Sequence, residues 1–265
     1  GDGAQLNIMQ QIVKEELQND AESDKKTTYL KYTDGDGTIH YFAKDPSKND
    51  SYYYDEDGLG LKINEYQTGC YKISDDKDNE MYFVNGLLTT ITDSNDNEIQ
   101  IHYTHSDGTS AGNGYPNASG DRISKVVQKN NGGSAITGAT FGYSSDNWLK
   151  TVNDAAGNVY TLTYSSGKLS QISRGSTVIA QYGATSTRTS YAYDAEAQYG
   201  VAFTYDGGKI GSYYEITSAS TAAKPGAIVG VSHLANGQTC YRDYGRDRAK
   251  GTGDDILTYY TFDYA

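Results

Sequence analysis

The chain repeats itself. Tyr143 and Tyr164 stand 21 residues apart, as do Tyr82 and Tyr103; Leu149 and Leu169 stand 20 apart, and Leu169 and Ile210 stand 41, close to two periods. Each unit reads as an alternating Tyr-rich run, a short polar turn, an aliphatic pair three residues apart, and a second turn. The clearest copy runs from Phe141 to Tyr164, and Ser165–Ile172 begins the next one at once. A period of this length constrains the fold more than any single motif. One strand-and-turn unit cannot bury its own apolar face, so such units are stable only when stacked on their neighbours.

Within the unit the period is two. Tyr160, Leu162 and Tyr164 point one way, and Val159, Thr161 and Thr163 the other. Both sets are β-branched, aromatic or aliphatic, as a pleated surface prefers. The pairs Leu88/Ile91, Ile123/Val126, Leu149/Val152, Leu169/Ile172 and Ile210/Tyr213 break that period, because positions three apart on a flat strand face opposite sides. Either both faces are covered or a β-bulge separates the two residues, and the bulge is the favoured reading because bulges curl sheets.

The units resemble YD repeats, also called RHS repeats, whose loose pattern is Gly-x-Leu-x-x-Ile, Asp-x-x-Gly and Tyr-x-Tyr-Asp. The first half is carried by Gly86, Leu88, Ile91 and Asp93, by Asn147, Leu149, Val152, Asp154 and Gly157, and by Gly167, Leu169 and Ile172. The second half is carried by Tyr52, Tyr54, Asp55 and Gly58, by Tyr191, Tyr193 and Asp194, by Phe203, Tyr205, Asp206 and Gly208, and by Tyr260, Phe262 and Asp263. The runs Tyr32–Phe42 and Asp55–Leu61 resemble the segment preceding the repeats in RHS-type wall-associated proteins of Gram-positive bacteria. The resemblance extends from about Tyr29 to the C-terminus, with the register slipping between Asp107 and Asn131. It implies an all-β, antiparallel, hairpin-built sheet curling into a spiral or partial shell. It also implies an excised piece of a longer exported protein, extracellular or wall-associated, whose partners are other domains of the same polypeptide.

Composition supports a turn-rich β protein. The 265 residues include 26 Tyr against 5 Phe and 1 Trp, 30 Gly and only 3 Pro. Hydrophobic residues make up 36%, low for a closed globule, and tyrosine partly compensates by burying a large ring while its hydroxyl finds a polar partner. A formal charge of −12 disfavours nucleic acid as a partner. No apolar stretch approaches the roughly 20 residues of a membrane-crossing helix. Cys70 and Cys240 read as two free buried thiols rather than a disulfide framework.

Residues Ala4–Asp20 are the one stretch with helical spacing, carried by Leu6, Met9, Ile12, Val13 and Leu17. The expected organisation is an N-terminal helix and charged linker over residues 1–28, then one β domain over residues 29–265. Turns such as Asp34–Gly35, Asp36–Gly37, Asp206–Gly207 and Asn236–Gly237 supply the positive φ of tight hairpins. Val127–Gly138 reads as a long polar hairpin loop and Ala222–Gly226 as a further break, with no linker long enough to argue for two domains.

Residues arranged for chemistry are few. Asp34 and Asp36 mimic the centre of an EF-hand loop, but Tyr32 and Ala43 stand where its outer ligands belong, so consecutive turns are favoured over a Ca²⁺ site. The acidic turns at Asp75–Asp78 and Asp93–Asn97 read the same way. His102 and His105 are three apart and fall on opposite strand faces. No Gly-x-Ser-x-Gly elbow and no cysteine active-site motif is present, and among 34 acidic residues no catalytic pair stands out. The Asp-Pro-x-x-Gly self-cleavage motif of toxin-type RHS proteins is also missing, since Asp45–Pro46 lacks the glycine.

A non-catalytic structural segment without a cofactor is therefore expected. A carbohydrate- or wall-binding module and a glycan-active enzyme remain the alternatives. For sugar stacking the candidates are Trp148, beside the Asp146–Asn147 turn, and Tyr160 and Tyr164; for any given tyrosine, packing outweighs a sugar platform.

Overall fold

A computed structural model describes residues 8–18, 26–55, 57–105, 107–109, 114–117, 120–220, 228–234 and 237–261. Within them every regular element is a strand, and all strand pairings are antiparallel. The chain forms two compact units, one of residues 4–157 and one built on residues 158–265.

The first unit holds β1 (Gln11–Gln18), β2 (Lys26–Thr33), β3 (Ile39–Lys44), β4 (Tyr52–Asp55), β5 (Lys62–Gln67) and β6 (Cys70–Ser74). It continues with β7 (Glu80–Val84), β8 (Leu87–Thr92), β9 (Glu98–Thr104), β10 (Arg122–Lys129), β11 (Ile136–Tyr143) and β12 (Leu149–Asp154). Each strand pairs with the next in sequence, and β8 also pairs with β1 at Gln11↔Leu87, which closes an eight-strand barrel. Two backbone bonds seal the seam, Ile12 N to Gly86 O at 2.7 Å and Leu88 N to Gln10 O at 3.2 Å. The sheet divides along β8, whose first residue joins β1 while Thr90–Thr92 join β9, and β10–β12 extend the sheet from there.

An eight-strand barrel leaves an interior just wide enough for side chains to fill. Leu30, Phe42, Ile63, Ile73, Phe83 and Leu88 fill it, each under 2% exposed, with Ile12, Tyr32, Tyr53 and Tyr71 buried beside them. The core is therefore solid packing rather than a lumen.

The expected N-terminal helix is a strand. Gln11–Gln18 pairs with β2 along its whole length, from Gln11↔Thr33 to Gln18↔Lys26, and Lys26, expected in the linker, opens β2. Of the described members of the helical set, only Ile12 enters the core, at 3% exposure, while Met9, Val13 and Leu17 are exposed. An isolated helix of that length is marginal in water. The strand instead closes the barrel and brings its charges to partners on β2 and β5, Glu15 to Lys31 at 3.2 Å and Lys14 to Glu65 at 3.0 Å. Helical spacing lost to tertiary pairing. The ends of that expected helix, residues 4–7 and 19–20, lie outside the described residues, as do the break at 222–226, Asn236 of its turn, and Phe262 and Asp263 of the last motif. The long loop expected over Val127–Gly138 is shorter: Val127–Lys129 and Ile136–Gly138 belong to β10 and β11, with Val127 buried.

The second unit is a run of consecutive hairpins. It comprises β13 (Val159–Ser165), β14 (Lys168–Arg174), β15 (Thr177–Ala184), β16 (Thr189–Asp194), β17 (Tyr199–Asp206), β18 (Lys209–Ile216), β19 (Val229–His233), β20 (Thr239–Asp243) and β21 (Ile256–Tyr260). Each pairs with its successor. Among its described residues the buried hydrophobics are few, namely Leu162, Ala202, Ile216, Val229 and Cys240, and most other side chains are half-buried or exposed. Most tyrosines of this unit are half-buried in its sheet.

Candidate functional site

The aliphatic pairs define the repeated device. In all five, one extra residue bulges between the two members: Thr89, Ser124, Lys150, Ser170 and Gly211 are skipped by the opposing strand. The residue before each bulge faces an aromatic ring, as Leu88 faces Phe83, Ile123 faces Tyr103, Leu149 faces Tyr143, Leu169 faces Tyr164 and Ile210 faces Tyr205. Three of the bulged hydroxyls bond back across the ladder, Thr89 to Tyr82 O at 3.0 Å, Ser124 to His102 O at 3.2 Å and Ser170 to Thr163 O at 3.0 Å.

A bulge interrupts the backbone ladder, so the carbonyl before it needs another donor. Tyrosine supplies one. The Tyr103 hydroxyl donates to Leu88 O at 2.6 Å, Tyr143 to Ile123 O at 2.7 Å, and Tyr205 to Thr189 O at 2.6 Å, where Ser190 is the bulged residue. In each case the ring of one unit clasps the bulge of the unit before it. Burial pushes the Tyr143 phenol up to about 12 and Tyr103 higher still, so both are neutral donors at any ordinary pH. The sequence carried a signal for this in its excess of Tyr over Phe, since only the hydroxyl can clasp.

The candidate stacking residues sit as follows. Trp148 closes the β11–β12 turn, with Ser144 N bonded to Trp148 O at 2.9 Å and Asn147 at φ 68°, and its ring is 37% exposed. Tyr160 and Tyr164 lie on one face of β13, half-buried on either side of buried Leu162, while Val159 and Thr163 are exposed. Burial raises the Tyr164 phenol. The structure brings Tyr160 and Tyr164 together on one strand face and places Trp148 in the other unit.

Asp34 and Asp36 cap their own turn. Asp34 Oδ1 accepts from the amides of Asp36 and Thr38 at 3.1 and 3.0 Å, and Asp36 Oδ1 takes the Thr38 hydroxyl at 2.6 Å. His40 bridges Asp34 and Asp57 at 3.3 and 3.0 Å, and those two bonds raise its pKa against the opposing effect of burial, which is the largest single influence. Asp75, Asp93 and Asp107 cap turns in the same way, and their hydrogen bonds hold them below the usual carboxylate range. Among the described residues no three His, Cys, Asp or Glu side chains are grouped to hold a metal.

A groove of about 560 Å³ lies between Thr104, Arg122, Phe141, Tyr143 and Asn147. Its charges are engaged in structure. Arg122 lies 4.7 Å over the Tyr143 ring and donates to Asn147 Oδ1 at 2.5 Å and to His105 O at 3.1 Å, while His105 Nδ1 meets buried Asp121 at 3.0 Å. His102 stays on β9, its pKa lowered by burial, apart from that cluster. The thiols of Cys70 and Cys240 are free, Cys240 buried and Cys70 half-buried.

A family described as a protein of unknown function (DUF3298) matches residues 1–73, a minority of the chain. No curated protein matches. Among solved structures, a TcdB2-TccC3-TEV crystal structure aligns over 91% of this chain at 9% identity and TM-score 0.32. The Photorhabdus luminescens Tc holotoxin pore aligns over 95% at 9% identity and TM-score 0.31. A porin-like protein from Bacteroides uniformis aligns over 80% of this chain and 96% of its own length, at 12% identity and TM-score 0.34. The chain spans only 16% and 15% of the two toxin chains. Scores this low leave the assignment to the residues themselves.

Proposed function

We propose that the chain is a non-catalytic β scaffold, a structural segment of an exported bacterial YD/RHS-type protein. In this reading it forms part of a β shell that encloses or displays other domains of the same polypeptide at the cell surface or wall. The observation that carries the reading is the tyrosine clasp. It occurs at three bulges, two in the first unit and one in the second, and there it ties the bulge to the next hairpin through a ring hydroxyl.

The edge strand adds support. Every residue of β21 is exposed, Ile256 at 63% and Tyr259 at 56%, and among the described residues it pairs only with β20. An exposed apolar edge without Lys or Pro is an aggregation hazard, which natural sheets cover or pair. A further strand of the same polypeptide is the cover this reading assigns to it.

The test is hydrogen exchange on this chain alone and within the longer gene product that carries it. The scaffold reading expects the amides of Ile256–Tyr260 to gain at least about tenfold protection in the longer product. Equal exchange in both would overturn it.

A further inference from the structure

The face of β7–β9 that points away from the barrel core carries a cleft of about 450 Å³, within the range of about 300–1,000 Å³ usual for small-ligand sites. Its floor is two cross-strand rows, Tyr82↔Thr90↔Gln100 and Glu80↔Thr92↔Glu98. Phe83 and Ile101, which alternate with these residues, are buried in the core, so the floor is the back of a packed sheet.

Three tyrosines frame the cleft, and two of them lie outside the repeat. Tyr66 is the bulged residue of β5, skipped between Glu65↔Tyr71 and Gln67↔Cys70. Bulges re-aim side chains, and this ring stands 6.3 Å from the Tyr82 ring at an interplanar angle of 72°. Two rings set nearly at right angles make a corner. Tyr115 joins it from an anchored loop: Gly114 O accepts from Tyr103 N at 2.8 Å, and Asn85 Nδ2 donates to Pro116 O at 2.8 Å. Burial, then Cys70, then Tyr115 raise the Tyr66 phenol, so the two outer rings lie in each other's field. Both are about half exposed, Tyr66 at 50% and Tyr115 at 46%.

The charge in the cleft has one sign. Among the described residues its lining includes three carboxylates, Glu80, Asp96 and Glu98, and no lysine or arginine. Lys72 reaches Glu80 at 2.7 Å from beyond the lining, and Lys129 lies 3.9 Å from Glu98. Asp96 has no such cation: among the described residues its carboxylate takes one bond, from the neutral Asn131 amide at 3.4 Å. The negative field registers on Tyr82. Its bond to Glu80, then its burial, then the charges of Glu80 and Glu98 push that phenol up to about 12.

The acceptors of the floor are engaged, whereas the charge of Asp96 is not. Glu80 takes Lys72 and the Tyr82 hydroxyl, and Glu98 takes the Gln100 amide at 2.6 Å. A primary ammonium or a guanidinium needs acceptors for its N–H groups and would compete with these donors. A quaternary ammonium has no N–H. It needs a negative field and aromatic rings, and cation–π attraction makes tyrosine a suitable wall. A neutral ligand leaves Asp96 uncompensated, and an anionic or zwitterionic one brings negative charge against the carboxylates.

We infer that the corner of Tyr66, Tyr82 and Tyr115, with Asp96 in its lining, binds a small quaternary ammonium cation of the choline type. The assignment is independent of the scaffold reading, because a shell segment can be built with or without it. Calorimetry on the whole chain at low salt compares choline and tetramethylammonium with ethanolamine, which adds N–H donors, with the uncharged tert-butyl isostere of choline, and with phosphocholine, which adds an anion. Choline and tetramethylammonium should bind, and the other three at least about fivefold more weakly. Tyr66→Ala and Tyr115→Ala should each weaken choline about fivefold with the melting temperature retained, while Tyr66→Phe keeps the ring and stays within about twofold. Asp96→Asn, which φ 63° accommodates, should weaken it about threefold at low salt and less at high salt.

Four results would overturn the inference. They are no binding of choline or tetramethylammonium at about 10 mM, where a millimolar site is mostly filled; equal binding of the uncharged isostere; ethanolamine or phosphocholine bound more tightly than choline; or full binding by the Tyr66→Ala/Tyr115→Ala double variant. Exchange at β21 does not report on this cleft, so failure here and failure of the scaffold reading are separable.

Discussion

Removing one hydroxyl tests the clasp without touching the packing. Tyr103 is 4% exposed and Leu88 is fully buried, so the bond between them is closed to water. Tyr103→Phe keeps the ring and its contact with Ile123, and deletes only the donor to Leu88 O at 2.6 Å. A buried carbonyl left without its partner costs about 1–3 kcal/mol. The exposed Tyr54 hydroxyl, which donates to Asp50 at 2.7 Å, is the control, and Tyr54→Phe should stay within about 0.5 kcal/mol of the parent. Urea unfolding followed by Trp148 fluorescence reads the correct unit, because the single tryptophan lies in residues 4–157. The midpoint should fall for Tyr103→Phe with an unchanged slope, the signature of altered stability rather than altered compactness. A Tyr103→Phe midpoint equal to that of Tyr54→Phe would refute the argument that the bulge needs its tyrosine.

Three further outcomes are expected. Gly86 takes φ 77° at the barrel seam, and an added Cβ would press on the Ile12 carbonyl oxygen, so Gly86→Ala should lower the unfolding free energy read from urea titration by more than the roughly 1 kcal/mol typical of a strained turn glycine. In the thin second unit, Leu162→Ala should cost about 2–5 kcal/mol and exposed Thr163→Ala well under 1, as circular dichroism during urea unfolding can measure. Alkali should unfold the protein late. Folded tyrosine pKa values are raised, to about 12 for Tyr143 and further for Tyr103 and Tyr32, so their contribution is complete below the unfolded value of about 10 and is lost as pH rises through the folded values. A midpoint flat to about pH 10 and then falling is the prediction, and a decline beginning below pH 9 would contradict it.

Much of this architecture was legible in the spacing of residues. The three-residue aliphatic pairs cannot share one side of a flat strand, and a bulge occupies all five of them, since one extra residue restores the common side, although Ile210 stays 40% exposed. Strand barrel closure was not legible. It depends on one register match, Gln11↔Leu87, between segments far apart in the chain, and on Ile12 entering a core that local periodicity cannot see. The helical spacing of Met9, Val13 and Leu17 is real, yet those side chains face outward on a strand. Tyr66 and Tyr115 escaped for a related reason. One is aimed by a bulge and the other by a loop anchored through Asn85, and neither keeps the period that made the remaining tyrosines visible.

Tyr103, Tyr143 and Tyr205 each hold the bulge of the preceding hairpin, and residue-resolved hydrogen exchange measures that directly. In Tyr103→Phe, the amides of Leu88–Thr90 should lose protection, and in Tyr143→Phe those of Ile123–Lys125, with the tyrosine's own strand less affected in both. Loss confined to β9 and β11 themselves, or spread evenly over residues 4–157, would contradict a tyrosine clasp at these bulges.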